Sequence, residues 1–340
     1  MDHRTEVPVS TSACPRTPGF TTGDVLHPAR TRVGFIVDCC SVLVCALTWA
    51  GYAVVSQKLV HLMPVEVVGA WSRTFAMIIL LGVAFFRGEA RLLWNPGPVV
   101  RYAILIGVIA FGMNAAQLYG LNMKGSSASN FSVIVKTDVL FTLLAARLLL
   151  KERMFRLDYL GVIVMALGVG LVMLRDLLHY EFAFVSDLLF LSIAIGLTFN
   201  AFVIKAKLQV LSNRVVAGYN CSMSLLGFLV LLAATGKWGA AAEQLANPFH
   251  MLLLAAFGAL IAGVFLTYYH ALNRLPLWLV RVLLLFTPPF TMLLDFLTRG
   301  TPITSAQVGG MLLIIAGACV IIVGHDRRRR FMFIEDELDS

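Results

Sequence analysis

Hydrophobic residues form ten long blocks along the chain, separated by short polar segments. A helix rises about 1.5 Å per residue, so about 20 apolar residues cross a hydrocarbon core of about 30 Å. Most blocks are close to this length, and they do not show the short alternation of half-buried strands. The pattern therefore predicts ten transmembrane helices, approximately at Val33–Ser56, Val67–Phe86, Val100–Leu121, Ala128–Leu149, Leu160–Leu174, Phe184–Ile204, Val215–Thr235, Met251–Leu272, Trp278–Leu297 and Val308–Gly324.

The composition agrees with a membrane location. The 340 residues are 59% hydrophobic and 14% charged, whereas soluble domains average about 25% charged residues. Five of the six cysteines lie in apolar blocks and no C-x-x-C pair occurs, so neither a disulfide framework nor a metal or redox site is indicated. We therefore expect no cofactor and no metal, and we expect the lipid bilayer to be the immediate partner of the chain.

Lysines and arginines between the blocks indicate the orientation. The connections on one side carry eleven of these residues and those on the other side carry five, and both tails belong to the richer side. Basic residues accumulate on the cytoplasmic side of a membrane. Both termini are therefore predicted to be cytoplasmic, with the chain in a plasma (inner) membrane. The net charge of +8 follows from this topology, and nothing else in the sequence indicates a nucleic-acid partner.

Two pairs of glycines indicate an internal repeat. Gly161 and Gly168 in the fifth block have the same spacing as Gly310 and Gly317 in the tenth block. Each half then contains five helices, and an odd number makes the second half enter the membrane upside down relative to the first. The predicted organisation is a flexible cytoplasmic tail (1–32), a first repeat (33–176), a second repeat (177–325) and a cytoplasmic C-terminal tail (326–340).

Three runs of sequence carry a family resemblance: Ala128–Phe141, Leu150–Arg153 and Thr287–Phe290, together with the four glycines. They resemble the drug/metabolite transporter superfamily, and within it the ten-helix EamA-type transporters. The resemblance implies an all-α membrane protein with ten transmembrane helices in two inverted five-helix repeats, and a transporter rather than an enzyme. It does not identify the solute, because the family transports amino acids, nucleotide sugars, phosphorylated metabolites and drugs.

The sequence departs from this family at two positions. Val139 stands opposite Pro288, where the family has a proline in the fourth helix. Thr301 stands where the family has an acidic residue after the ninth helix, whereas Glu152 keeps that residue in the first half. A symmetric role for these two loop positions is therefore not expected.

Apart from the basic residues at block ends that count toward the orientation, three basic residues lie inside predicted spanning helices: Arg73, Lys136 and Arg281. A charge at the bilayer centre costs several kcal/mol on insertion scales, so it must face a cavity or a partner. Lys136 lies near the middle of the fourth block and shares a helix face with Ser129 and Ser132. This stripe is a candidate lining for a solute pathway, and Arg281 is a candidate solute contact. Snorkelling to the interface is the alternative for Arg73 and Arg281.

Asp138 follows two positions after Lys136, about 200° around a continuous helix, so a pair between these two residues is not expected. Its carboxylate could bind a proton and couple transport to a proton gradient. Alternatively, it could neutralise Arg73 or Arg281 on a neighbouring helix. Both interpretations remain open from the sequence.

Further polar residues recur on one face of the first, third and sixth blocks, at Thr48, Asn114, Gln117 and Asn200. A water-filled cavity explains several polar stripes together, and hydrogen bonding between closely packed helices is the alternative. Pro288 and Pro289 interrupt the ninth block and free the carbonyl groups near Leu284. This point is therefore a candidate hinge.

These features predict a secondary-active transporter that moves a small organic solute by alternating access through a central cavity. The intramembrane cations favour an anionic or zwitterionic solute, whose carboxylate or phosphate would meet Lys136 or an arginine. The alternative is a proton-coupled exporter of neutral or cationic amphiphiles, with Asp138 as the proton and cation site. A receptor or scaffold is a further alternative, whereas the sequence contains no catalytic or nucleotide-binding motif that would favour an enzyme or an ATP-driven pump.

Overall fold

The computed structural model describes residues 32–88, 99–149, 156–179, 181–208, 211–274, 280, 283–300 and 302–338. The predicted N-terminal tail lies outside the described residues up to residue 31, and so does Arg281. The described residues form twelve α-helices and no β-strand. These helices are α1 (Arg32–Leu62), α2 (Val65–Phe86), α3 (Val100–Asn122), α4 (Ala128–Val135), α5 (Asp138–Leu149), α6 (Arg156–His179), α7 (Glu181–Lys207), α8 (Asn213–Ala234), α9 (Trp238–Ala246), α10 (Pro248–Arg274), α11 (Thr287–Arg299) and α12 (Ser305–Leu338).

Six of these helices are long and apolar enough to cross a membrane, and they contain the spans Cys40–Leu62, Val65–Phe86, Val100–Asn122, Ala183–Ile204, Arg214–Ala234 and Pro248–Tyr268. Two shorter apolar segments, Tyr159–Leu174 and Ser305–Ile321, lie in the fifth and tenth blocks. The all-helical fold is thus confirmed, whereas the count of ten transmembrane helices stays a prediction. The short helix α9, between the seventh and eighth blocks, was not predicted.

The fourth block is not one continuous helix. The backbone N–H groups of Lys136 and Thr137 donate to carbonyl groups three residues earlier, at 3.2 and 3.0 Å, so the regular i−4 bonding stops between α4 and α5. The prediction of a single helix is wrong at this point. It failed because the interruption contains neither proline nor glycine, the residues that mark such breaks in a sequence.

A turn of the same kind precedes α11. The N–H of Phe286 donates to the carbonyl of Leu283 at 3.2 Å. At the spacing of the two glycine pairs, this bond is the counterpart of the bond that Thr137 makes in the first half. Both interruptions therefore occur at the same place relative to the glycines that follow them.

Helices α6 and α12 pack closely along the predicted glycine pairs. A Cβ atom placed on Gly161 would lie 2.7 Å from the carbonyl oxygen of Gly317, and one placed on Gly168 would lie 2.7 Å from the carbonyl oxygen of Gly310. A carbon atom with its hydrogens does not fit at that distance. The close crossing of the two helices therefore requires glycine at these positions.

The remaining helices pack around a central core. Helix α2 packs against α8 and α10, α3 against α7 and α8, and α1 against α10 and α11. Large apolar side chains are exposed on the outside of the bundle, including Ile78, Leu167 and Val230. Such a surface is expected where the surroundings are lipid rather than water.

Candidate functional site

The turn between α4 and α5 brings Lys136 to a small cavity inside the bundle. Lys136 is 7% exposed, and its Nζ lies 4.8 Å from the centroid of the Trp49 ring, a distance that allows a cation–π interaction. The cavity therefore combines a buried cation with an aromatic wall. It is lined by Trp49, Lys136, Asp138, Val139, Leu197, Tyr268 and Leu284.

The Lys136 cavity is small in this conformation. Its volume is about 20 Å³, which is enough for about one water molecule. Pockets that hold organic ligands measure about 300 to 1,000 Å³. An organic solute can therefore occupy this place only after the surrounding helices move apart.

Lys136 and Asp138 line this cavity together, and the predicted separation onto two helix faces is wrong. The separation assumed a continuous helix, and the turn between α4 and α5 removes that geometry. The backbone carbonyl of Asp138 accepts hydrogen bonds from Thr142 Oγ1 at 2.7 Å and from Thr198 Oγ1 at 3.1 Å. The second of these bonds attaches the start of α5 to α7.

Arg73 lies in a second polar region, named here the Arg73 centre, between α1, α2, α3, α8 and α10. The residue is 1% exposed, so it does not snorkel to the interface. Its Nη1 donates to Ser72 Oγ at 2.9 Å and its Nη2 donates to Tyr52 OH at 3.5 Å. The ring centroids of Phe228 and Phe257 lie 5.2 and 5.8 Å from its Cζ atom.

The Arg73 guanidinium has no acidic neighbour in the described part of the chain. None of the carboxylate oxygens described there lies within 4.0 Å of its nitrogens, and its Nε has no hydrogen-bond partner there. The sequence left open a pair between Arg73 and Asp138, and the structure does not contain that pair.

Tyr52 connects Arg73 to the amide side chains predicted on the third block. Its hydroxyl donates to Gln117 Oε1 at 2.7 Å and lies 3.3 Å from Asn114 Oδ1. Asn114 Nδ2 in turn donates to Ser224 Oγ at 3.1 Å. The structure thus places Asn114 and Gln117 beside Arg73, and not among the residues that line the Lys136 cavity.

Charged groups also join helices at one end of the bundle, named here the α1–α2 end because α1 ends and α2 begins there. Lys237 Nζ lies 2.9 Å from each carboxylate oxygen of Glu66, and Tyr119 OH donates to Glu66 Oε1 at 3.0 Å. This group connects α2, α3 and the segment between α8 and α9.

A second group at the α1–α2 end is centred on Arg299. Its guanidinium bonds to Asp295, one turn earlier in α11, and to the side chain of Gln57 in α1. Asp295 Oδ2 accepts a hydrogen bond from Ser129 Oγ at 3.0 Å, and Gln57 Oε1 accepts one from the N–H of Ala128 at 2.6 Å. Ser129 therefore belongs to this group, although the sequence placed it on the same stripe as Lys136.

The remaining predicted site residues are not among those that line the Lys136 cavity or bond to Arg73 in the described part of the chain. The hydroxyl groups of Ser132 and Thr48 donate to carbonyl groups of their own helices at 2.8 Å in each case. Asn200 is buried, and its Oδ1 has no hydrogen-bond partner among the described residues. The predicted solute contact Arg281 lies outside the described residues.

Pro288 and Pro289 lie in the first turn of α11, where a missing N–H group breaks no helical hydrogen bond. Thr287 Oγ1 donates to the carbonyl oxygen of Leu284 at 2.7 Å, so this carbonyl group has a partner. The prolines thus start a helix after a turn rather than kink a continuous one. Their role as a hinge stays a prediction.

Comparison with known proteins identifies the family. The profile of the EamA-like transporter family matches residues 38–174 and again residues 185–323. The chain belongs to the EamA-like transporter family. It is therefore an integral, multi-pass membrane protein of a transporter family, as the sequence resemblance predicted.

Two individual proteins are similar to this EamA-like transporter. A protein of Clostridium kluyveri named as an uncharacterized transporter is 24% identical over 255 residues, which cover 72% of this chain and 78% of that one. A crystal structure named only as that of a protein superposes with a TM-score of 0.57 at 18% identity, covering 86% of this chain and 98% of that one. At that identity the second similarity concerns the fold alone.

Sequence analysis of this transporter missed several residues that join its helices. Glu66 and Asp295 were not singled out, although each is an acidic residue at the edge of or inside an apolar block, which is a usable signal. Lys237 and Arg299 were counted only as indicators of orientation. No signal in the sequence distinguishes Tyr52, a tyrosine among many aromatic residues, as a partner of Arg73.

Proposed function

We propose that this EamA-like transporter is a secondary-active carrier that moves a small anionic or zwitterionic organic solute by alternating access. The observation that carries the proposal is the buried ammonium group of Lys136 at a helix interruption, facing a cavity. An ammonium group binds a carboxylate or phosphate through charge-assisted hydrogen bonds. Asp138, in the lining of the same cavity, would receive the ammonium group of a zwitterion.

The proposal includes two five-helix repeats of inverted orientation, corresponding to the two segments that match the family profile. Three features support it. The interruption at Lys136 and Thr137 corresponds to the turn before α11. The glycines of α6 and α12 contact one another reciprocally. Helix packing is also equivalent in the two halves. Helix α3 packs on α7 and α8, the first two helices of the second half, and its counterpart α10 packs on α1 and α2, the first two helices of the first half. An axis in the membrane plane relates inverted repeats in this way.

In this proposal the α1–α2 end faces away from the cytoplasm. Arg87, Arg101, Lys207 and Arg214 lie at the opposite ends of their helices, and the positive-inside rule assigns that side to the cytoplasm. The groups of Glu66 and Arg299 would then hold the outer end closed. Opening toward the outside requires these bonds to break, and opening toward the cytoplasm does not.

The proposal is tested by uptake into proteoliposomes. A thermal-shift screen of the purified protein against carboxylate, phosphate and amino-acid metabolites first identifies a solute. Lys136→Ala should then abolish uptake of that solute while the protein keeps its size-exclusion profile. Lys124→Ala, which removes an exposed lysine between α3 and α4, serves as the matched control and should transport normally. Unchanged uptake by Lys136→Ala would remove Lys136 from the mechanism.

A second candidate is proton-coupled export of cationic or neutral amphiphiles. The observation that favours it is the carboxylate of Asp138 in a cavity walled by Trp49 and Tyr268, since aromatic rings and an anion together bind organic cations. An imposed pH gradient separates the two candidates. Under this second candidate, Asp138→Asn should uncouple transport from the pH gradient. Under the first candidate, a carrier that does not use a proton at Asp138 should respond to the pH gradient equally with and without this substitution.

A further inference from the structure

Arg73 carries a charge that the described residues do not neutralise. A guanidinium group stays protonated in proteins, and Arg73 lies within the apolar span Val65–Phe86, about two turns of helix from its start and more than three turns from its end. Its hydroxyl neighbours Ser72 and Tyr52 are neutral, as are the rings of Phe228 and Phe257. An isolated buried cation in a membrane is costly and is usually retained for function.

The unused donors of Arg73 lie on one edge of the guanidinium plane. The Nε and Nη2 atoms carry parallel N–H groups on that edge, which is the fork that binds the two oxygens of a carboxylate. Nε has no partner among the described residues. Nη2 reaches only Tyr52 OH at 3.5 Å, which is at the long limit for a hydrogen bond. The Cζ atom lies over the rings of Phe228 and Phe257, and the edge with the unpartnered Nε is where a carboxylate would bind.

The chemistry around this edge selects the class of ligand. Arg73 supplies a single positive charge, so it matches a monoanion, whereas a phosphate dianion would require a second cation. Asn114 and Gln117, which Tyr52 connects to Arg73, and Ser224, which bonds to Asn114, are neutral, so they add no second charge. The stacked pair of Tyr52 and Phe257, with ring centroids 5.1 Å apart, supplies apolar surface for carbon atoms.

We propose that the Arg73 centre binds the carboxylate of a monoanionic organic acid. The inference rests on the proposed function, because the acid would be the transported solute. Tyr52 follows Trp49 by three residues on α1, about 4.5 Å along the helix axis. The Arg73 centre and the Lys136 cavity therefore lie on neighbouring turns of α1, and a solute could contact both cations in one passage.

The test is the thermal stability of the purified full-length protein in the presence of acetate, benzoate and phenylacetate. At least one of these carboxylates should raise the midpoint of unfolding in a saturable way. Its neutral amide counterpart, such as phenylacetamide for phenylacetate, should not. Phenylphosphonate as the dianion should raise the midpoint less than the monocarboxylate of the same size.

Variants of Arg73 assign any shift to this side chain. Arg73→Gln should abolish the shift. Arg73→Lys should weaken it, because lysine keeps the charge but lacks the two parallel N–H groups that bind a carboxylate in a bidentate way. Arg101→Gln should retain it, since Arg101 also stacks on an aromatic ring, that of Tyr102, but is exposed. The proposal is overturned if none of the carboxylates shifts the midpoint, if Arg73→Gln keeps the shift, or if the amide acts as strongly as the acid.

The outcome is separate from that of the proposed function. If the protein binds a carboxylate through Arg73 but does not transport in proteoliposomes, the proposed carrier function is refuted and the proposed carboxylate site stands. If uptake depends on Lys136 but no carboxylate binds at Arg73, the proposed carboxylate site is refuted and the proposed carrier function stands.

Discussion

Two buried cations, Arg73 and Lys136, differ in what surrounds them. Lys136 lies over the ring of Trp49 and shares a cavity with Asp138. Arg73 is in contact with aromatic rings and hydroxyl groups and has no carboxylate within reach in the described part of the chain. Removing the charge of Arg73 should therefore relieve a cost of burial, because a buried charge without an acidic neighbour is expensive.

Replacing Arg73 by methionine should not destabilise the ligand-free protein. Methionine keeps most of the apolar stem of the side chain, is shorter than arginine, and removes the buried charge. The hydrogen bonds lost to Ser72 and Tyr52 are worth about 1 kcal/mol each, less than the several kcal/mol that a buried charge costs. Thermal unfolding in detergent without organic acids should show an unchanged or higher midpoint for Arg73→Met. A large drop would mean that Arg73 holds the fold together.

Sequence analysis could identify most of the residues of these two regions but could not group them. Arg73, Lys136, Asn114 and Gln117 are conspicuous because polar side chains are rare in apolar blocks. Helix periodicity then placed Ser129 with Lys136, whereas Ser129 bonds to Asp295 in α11. Periodicity describes one continuous helix, and it contains no information about an interruption or about which neighbouring helix supplies the partner.

The helices show which parts of the fold were predictable from the sequence. Long apolar runs predicted the long apolar helices, and the spacing of the glycines predicted the positions where α6 contacts α12. The interruption between α4 and α5 was not predictable, because Lys136 and Thr137 are not helix breakers. Its counterpart before α11 precedes two prolines, which is why only that one was expected from the sequence.

The crossing of α6 and α12 should be sensitive to single methyl groups. Gly161→Ala would place a Cβ atom 2.7 Å from the Gly317 carbonyl oxygen, and Gly317→Ala would place one 2.6 Å from that of Gly161. Each should lower the free energy of unfolding by about 1 to 3 kcal/mol, as overpacked substitutions do. Thermal and denaturant unfolding of the purified variants would measure the loss.

Another glycine of α6 supplies the matched control. A Cβ atom on Gly170 would meet nothing within 4 Å. Gly170→Ala should therefore be neutral or stabilising by up to about 1 kcal/mol, because alanine loses less backbone entropy in a helix. Equal behaviour of Gly170→Ala and Gly161→Ala would contradict the idea that the helix crossing depends on the missing side chain.

At the scale of the whole molecule, the polar groups lie at two depths. The Arg73 centre and the Lys136 cavity occupy the interior of the bundle, and the groups of Glu66 and Arg299 tie helices together at the α1–α2 end. A carrier needs such an arrangement, with a site in the middle and a closure that can open on one side. Under the proposed alternating access these few charged contacts would form the closure, and they would separate without disturbing the apolar core.

Weakening that closure should expose the interior from the α1–α2 end. Asp295→Ala removes the carboxylate that bonds to Arg299 and Ser129, and a lost bond to a charged partner is worth about 1.5 to 3 kcal/mol. Ser56 lies beside Gln57 on α1 and is 0% exposed, so Ser56→Cys in a variant without the native cysteines reports on opening. A membrane-impermeant thiol reagent should modify it about tenfold faster or more after Asp295→Ala, since about 1.4 kcal/mol corresponds to tenfold in an equilibrium.

Glu243→Ala is the control for this experiment, because Glu243 is an exposed acid on α9 at the same end of the bundle. It changes the local charge by the same amount without touching the group of Arg299, so the labelling rate should stay at the background value. A rise of equal size in both variants would mean that charge near the reagent, rather than closure by Asp295, controls the rate. An unchanged rate after Asp295→Ala would mean that packing alone closes this end, and alternating access would then have to open an apolar seal.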